Sequence, residues 1–208
     1  DLMTPVAKAW STDQGFEIAS IGVQVHGGMG YIEETGAAQY LRDARITMIY
    51  EGTNGIQALD LIRRKLPREI AATKKLFSEM HETVQALSDD GNPSLAATGE
   101  QLAPAIASLE KATRWMRETI STDPEAAAAG ATQFCRMLGF IAGGWLLAKS
   151  ALRATKLDAN GKTVSGIGVT KTQIARFFAE QHLGPAAALL GPITNARNTV
   201  MALPEENF

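Results

Sequence analysis

The chain has 208 residues, enough for one large domain or two small ones. Hydrophobic residues make up 45% and charged residues 20%, an ordinary globular balance, and a net charge of −2 gives nucleic-acid binding no electrostatic support. The single cysteine, Cys135, excludes an intrachain disulfide, fits a reducing compartment, and in its apolar run reads as a small buried side chain.

The first residues, Asp1 to Trp10, already look helical, so the chain is expected to be part of a longer protein. No signal or transit pattern opens it. The longest apolar stretch, Met137 to Ala148, is too short to cross a bilayer. Residues 1–26 read as a helix, with Val6, Ala9, Trp10, Ala19, Ile21 and Val25 near helical spacing. Gly27-Gly28 ends it. A short helix is expected over Ala37–Ala44, then an extended piece or a distorted last turn over Ile46–Tyr50. A further helix starts at Thr53 or Asn54 and runs to Leu66 on a stripe of Ile56, Leu59, Ile62 and Leu66. Pro67 marks a boundary.

Beyond it the texture changes to long amphipathic helices: Arg68–Leu87, Ser94–Ile120, and a third from Pro124 to Thr155 with Asp123 as N-cap. Leu157–Gly168 reads as a flexible loop. Val169–Ala202 reads as a fourth helix, interrupted at Gly184-Pro185 and Gly191-Pro192. No period-two strand appears. The fold class is all-α, with residues 1–66 as one domain and 67–208 as a four-helix up-and-down bundle.

Two stretches carry candidate chemistry. In Tyr50-Glu51-Gly52-Thr53 a carboxylate precedes a helix start. Spacing alone favours the simpler reading, a helix-start acid with a modest dipole contribution. The functional reading makes Glu51 a general base beside an apolar Ile49-Tyr50 wall, its proton affinity raised by desolvation, with Gly52 letting a carbonyl approach the backbone. In Gln24-Val-His-Gly-Gly-Met-Gly-Tyr31, glycines free backbone N–H groups to face an anion. No strand precedes them, so this is not a βαβ nucleotide fingerprint, and a plain helix–helix turn fits as well. His26 has no second ligand at metal spacing; His81 and His182 lie on separate helices; no metal is expected.

The motifs QVHGGMGY (24–31) and LRDARITMIYEGTNGIQ (41–57), in this order and separation, resemble the C-terminal helical domain of acyl-CoA dehydrogenases. Residues 67–208 resemble the extra helical domain of a longer subgroup that includes 3-methylmercaptopropionyl-CoA dehydrogenases. The resemblance implies α,β-dehydrogenation of an acyl-CoA thioester, with Glu51 as the α-proton base and FAD as hydride acceptor. It implies that Tyr50, Gly52 and Arg63 meet substrate, and that Thr53, Asn54 and Gly55 meet the flavin dinucleotide. Gln24, Val25, His26, Gly27 and Gly28 would meet the FAD of a neighbouring subunit, which implies a homo-oligomer, dimer or tetramer. An electron-transfer flavoprotein would take the electrons. The implied location is the cytoplasm of a bacterium or the mitochondrial matrix of a eukaryote.

Three positions depart from the family pattern. Thr35-Gly36 stands where an aromatic-proline pair is common, Gly55 where a polar side chain is frequent, and Ala58 where arginine is frequent. Most of the flavin and CoA surface in this family lies in other domains, so the 208-residue chain alone is expected to be inactive and free of flavin. The alternative is a non-catalytic helical scaffold or oligomerisation module.

Overall fold

The computed structural model describes residues 1–161, 166–200 and 202–207. Among them every regular element is helical and no strand forms. Helix α1 (Thr4–Val25) carries Pro5 in its first turn, where the missing N–H costs nothing. Short α2 (Gly28–Tyr31) turns back, and α3 (Ala37–Thr47) and α4 (Asn54–Asp60) follow. A π turn (Leu61–Lys65) leads into α5 (Leu66–Arg68), so Pro67 lies inside a helical turn rather than after it. The long helices are α6 (Ile70–Asp89), α7 (Pro93–Thr122) and α8 (Pro124–Ala159).

α8 is the centre of the molecule. Its buried face runs from Ala126 to Ala154. α1, α4, α6 and α7 all pack on it, as does α9 (Ile167–Phe178). Asp123 caps it as expected, its Oδ1 accepting from Ala126 N at 3.1 Å. Trp145 on α8 donates from Nε1 to Thr83 Oγ1 on α6 at 2.8 Å, a buried bond that leaves neither group orphaned. One apolar cluster includes Leu2, Val6, Ala58 and Ile62 together with Met80, Leu102, Phe134 and Ile141, so residues on both sides of Pro67 share a core.

Several expectations shift. The N-terminal half of α1 is buried at Val6 and Ala9, whereas Ile21 and Val25 are 53% and 79% exposed. Periodicity says which residues share a face, not what covers it. Ile62 and Leu66 of the expected stripe are buried and Leu59 packs partly buried against the core, but Ile56 is exposed, and Ala58 and Leu61 complete the buried face. α8 reaches Ala159 and α9 begins at Ile167, which shortens the expected loop; residues 162–165 of that loop lie outside the described residues. The fourth helical stretch breaks before its prolines. A π turn (Ala179–Leu183) precedes α10 (Gly184–Ala188), α11 (Leu190–Asn195) starts just ahead of Pro192, and α12 (Arg197–Val200) follows. Proline starts a helix more readily than it ends one, since the first turn needs no N–H from it.

Candidate functional site

The Glu51 turn is built by two helix ends. At the end of α3, the Ile49 and Tyr50 N–H groups both donate to Ile46 O, at 2.9 and 3.1 Å, so this piece is a distorted last turn rather than a strand. The chain then takes two left-handed steps, Glu51 at φ 55° and Gly52 at φ 81°. Glycine accepts that conformation freely; for glutamate it costs about 1 kcal/mol or more. Thr53 caps α4, its Oγ1 accepting from Ile56 N at 3.4 Å.

Side chains from two helices hold this backbone. Gln57 Nε2 donates to Glu51 O at 2.8 Å. Lys8 Nζ, from α1, donates to Gly52 O at 2.8 Å and to Asn54 Oδ1 at 2.7 Å. Asn54 Nδ2 reaches Ala9 O, Thr12 Oγ1 and Asp13 Oδ1 at 3.1, 3.0 and 2.6 Å. Its side chain is thus committed to α1, and a ligand at Asn54 meets backbone. Neither Lys8 nor Gln57 stood out in the sequence. The available signal was the polar pair Lys8 and Thr12, four apart on a helix that buries Pro5, Val6 and Ala9.

Glu51, Gly52 and Thr53 are exposed. Tyr50 and Ile49 flank them at 50% and 45% exposure, so they form no buried apolar wall around Glu51. Among the described residues the N–H groups of Glu51 and Gly52 donate to no protein acceptor. Gly55 stands beside open space. Arg63 lies in the π turn, exposed and more than two helical turns beyond Thr53.

The glycine loop lies elsewhere. Gln24, Val25, His26, Gly27 and Gly28 are all exposed, at the C-terminal end of α1. His26 Nδ1 sits 2.8 Å from Gly22 O, which fixes the ring against its own helix. Gly30 is required by close approach, since a Cβ there would lie 2.3 Å from Val23 O and 2.8 Å from His26 Cβ. Lys8, which touches the Glu51 turn, and Gln24 are about 24 Å apart along α1 at 1.5 Å per residue. The Glu51 turn, which Asn54 also ties to Ala9, Thr12 and Asp13, therefore lies along the N-terminal half of α1, and the glycine loop lies at its C-terminal end.

Behind Asn54 a cavity of about 80 Å³ is lined by Trp10, Asp13, Gln133 and Cys135 among others. Trp10 Nε1 and Gln133 Oε1 are buried there without protein partners, the polarity that holds water rather than an apolar ligand. Burial pushes the Cys135 thiol up to about 12, with Asp13 adding to the effect. His81 is exposed and pairs with Glu110 at 2.9 Å, and His182 stacks on Phe140 with centroids 5.9 Å apart. Among the described residues no group of three or more His, Cys, Asp or Glu is placed to hold a metal. No described helix is long and apolar enough to cross a membrane.

This all-α chain, with a helix-start glutamate and an outlying glycine loop, matches two models of one protein class. Residues 2–66 match the model for "Acyl-CoA dehydrogenase, C-terminal domain", and residues 76–204 match "Acetyl-CoA dehydrogenase C-terminal like". The chain belongs to the acyl-CoA dehydrogenase family. It is 37% identical over 201 residues to 3-methylmercaptopropionyl-CoA dehydrogenase of Ruegeria pomeroyi, covering 97% of this chain and 34% of that protein. It is 28% identical over 217 residues to a broad-specificity linear acyl-CoA dehydrogenase of Mycobacterium tuberculosis, covering 100% of this chain and 35% of that protein. A short-chain-specific acyl-CoA dehydrogenase of Megasphaera elsdenii is 44% identical over 54 residues, 26% of this chain and 14% of that protein. The chain thus spans about a third of the length of the relatives that match it nearly end to end.

Proposed function

We propose that this chain contributes the proton-abstracting carboxylate, Glu51, to a flavin-dependent acyl-CoA dehydrogenase. The observation that carries the reading is the left-handed backbone at Glu51. A glutamate held in a costly conformation, exposed and with its own carbonyl and that of Gly52 tied down, is poor design for a simple helix-start acid. Glu51 takes the α-proton of the acyl-CoA thioester. The charge that develops on the thioester oxygen is met by the N–H of Glu51, which has no protein acceptor. FAD, when bound, supplies the two-electron acceptor for the β-hydrogen, which leaves a Cα=Cβ double bond. Tyr50 and Gly52 line the approach of the acyl group, and Arg63 lies toward the CoA end.

The residues fit one edge of a flavin site. Gly55 and Gly28 face open space, with nothing within 4 Å of a Cβ built there. The flavin edge at Thr53, Asn54 and Gly55 and the edge at Gln24, Val25, His26, Gly27 and Gly28 are separated by about 16 Å along α1, counted at 1.5 Å per residue from Asp13, which Asn54 reaches, to Gln24. That separation supports two flavins, one in each of two subunits. Exposed Ile18, Ile21, Val25, Tyr31 and Tyr40 support a homo-oligomer that covers this side. An electron-transfer flavoprotein accepts the electrons, in bacterial cytoplasm or the mitochondrial matrix. The division into units 1–66 and 67–208 belongs to the same proposal, with 67–208 serving subunit packing. Since Glu51 and the glycine loop both face outward, the 208-residue chain alone is inactive and free of flavin; stoichiometric FAD in the purified chain would overturn that.

The test is Glu51→Gln in the flavin-loaded full-length dehydrogenase that carries this chain. Turnover is expected to fall on the order of 100- to 10,000-fold with FAD content unchanged. Unchanged turnover returns Glu51 to a simple helix-start acid and favours a helical scaffold.

A further inference from the structure

We infer that Lys8 and Asn54 are positioning residues for the Glu51 turn, forming with Gln57 a clamp that holds two successive left-handed residues. The inference rests on the reading of Glu51 as the base. Residues in sparsely populated backbone regions persist only where their surroundings over-determine them. Here the surroundings are specific. The carbonyl of each left-handed residue is captured by a side chain, Glu51 O by Gln57 Nε2 and Gly52 O by Lys8 Nζ, each at 2.8 Å. The donors come from different helices, α4 and α1, so the turn is held from two sides.

Asn54 joins the clamp to the scaffold. Its Oδ1 accepts from Lys8 Nζ at 2.7 Å, and its Nδ2 reaches three acceptors on α1. The half-buried ammonium of Lys8 therefore donates to two neutral oxygens, Gly52 O and Asn54 Oδ1, rather than to a carboxylate. A hydrogen bond from a charged donor is about twice as strong as a neutral one, which suits a clamp that opposes backbone strain. Across a trans peptide the N–H points opposite to the C=O. Capturing Glu51 O and Gly52 O thus directs the N–H groups of Gly52 and Thr53 away from the clamping side chains.

The experiment compares Lys8→Met with Lys8→Arg in two assays. The first is amide hydrogen exchange of the 208-residue chain, read at Asn54, whose N–H donates to Met48 O across the turn at 3.2 Å. The second is steady-state kinetics of the flavin-loaded full-length dehydrogenase. Lys8→Met is expected to speed Asn54 exchange about tenfold. It is expected to lower kcat on the order of 100-fold with KM nearly unchanged, as a misplaced but still occupied site does. Lys8→Arg, which restores a charged donor, recovers most of both. Unchanged exchange in Lys8→Met overturns the inference. So does unchanged kcat in an enzyme in which Glu51→Gln has abolished turnover. If Glu51→Gln itself leaves turnover intact, the base assignment fails, and the exchange assay alone decides the clamp. Gln57→Leu, which frees Glu51 O without touching α1, is read by the same criteria if Lys8→Met does not fold.

Discussion

Trp10 on α1 is seated in a notch that Gly139 on α8 leaves open. A Cβ added at Gly139 would lie 2.3 Å from Trp10 Cγ and 2.6 Å from its Cβ. The ring is held on its other edges by Phe140, centroids 5.5 Å apart in a T-shaped pair, and by Gly143 near Cη2. This contact ties the helix that bears Lys8 to the central helix of the molecule.

Gly139→Ala is accordingly expected to destabilise the chain by ~1–3 kcal/mol, the range for overpacking a close-packed contact. Trp10 cannot retreat without breaking its contact with Phe140. Urea denaturation followed by tryptophan fluorescence checks it; an unaltered midpoint means that α1 and α8 are not packed at this notch.

Glu51→Gly is expected to stabilise the fold while removing the carboxylate. The left-handed φ of 55° costs a glutamate and not a glycine. Glycine also loses more chain entropy on folding, so the net gain is modest, about 0.5–1 kcal/mol. Glu51→Gln, which keeps the Cβ, is the control and is expected to leave stability unchanged. Differential scanning calorimetry of the three chains reads the order; a Glu51→Gly chain less stable than the parent shows that the turn is not strained.

Cys135 is expected to resist alkylation in the native chain at pH 8 and to react rapidly once unfolded. Its residue is 3% exposed and its thiol is pushed up to about 12, first by burial and then by Asp13. The sign follows from linkage. An unfolded thiol titrates near about 8.5, so below that pH both states hold the proton and stability is fully present. As pH rises from there toward about 12 the unfolded state loses its proton first, and stability falls. Iodoacetamide kinetics with and without urea test the first part. Comparison of Cys135→Ala with the parent across pH 8–11 tests the second, since the variant is expected to lack this share of the decline.

Much was legible without coordinates. The helix-start glutamate, the glycine loop, the Asp123 cap and the burial of Cys135 are consequences of residue type and immediate neighbours. Less legible were features that depend on contacts distant in the chain. Ile56, Ile21 and Val25 have correct helical spacing yet are exposed. The proline-bearing segments after Phe178 begin helices where an interruption is the local expectation. Met29, an apolar residue of the glycine loop, is 55% exposed.

The sequence by itself determined that the chain is helical and that a carboxylate sits between a helix end and a helix start. Capping, periodicity and glycine placement are short-range properties, carried by a few adjacent residues. Only the tertiary structure decided that Glu51 adopts a left-handed backbone and that Lys8, more than forty positions earlier, holds the turn after it. It also decided that the Glu51 turn packs against the N-terminal half of α1 while the glycine loop sits at its C-terminal end. The physical reason is that a lysine on one helix and a carbonyl on another meet only through the packing of α1 against α4 and α8. That packing is set by many small apolar contacts, none of which is visible at any single position.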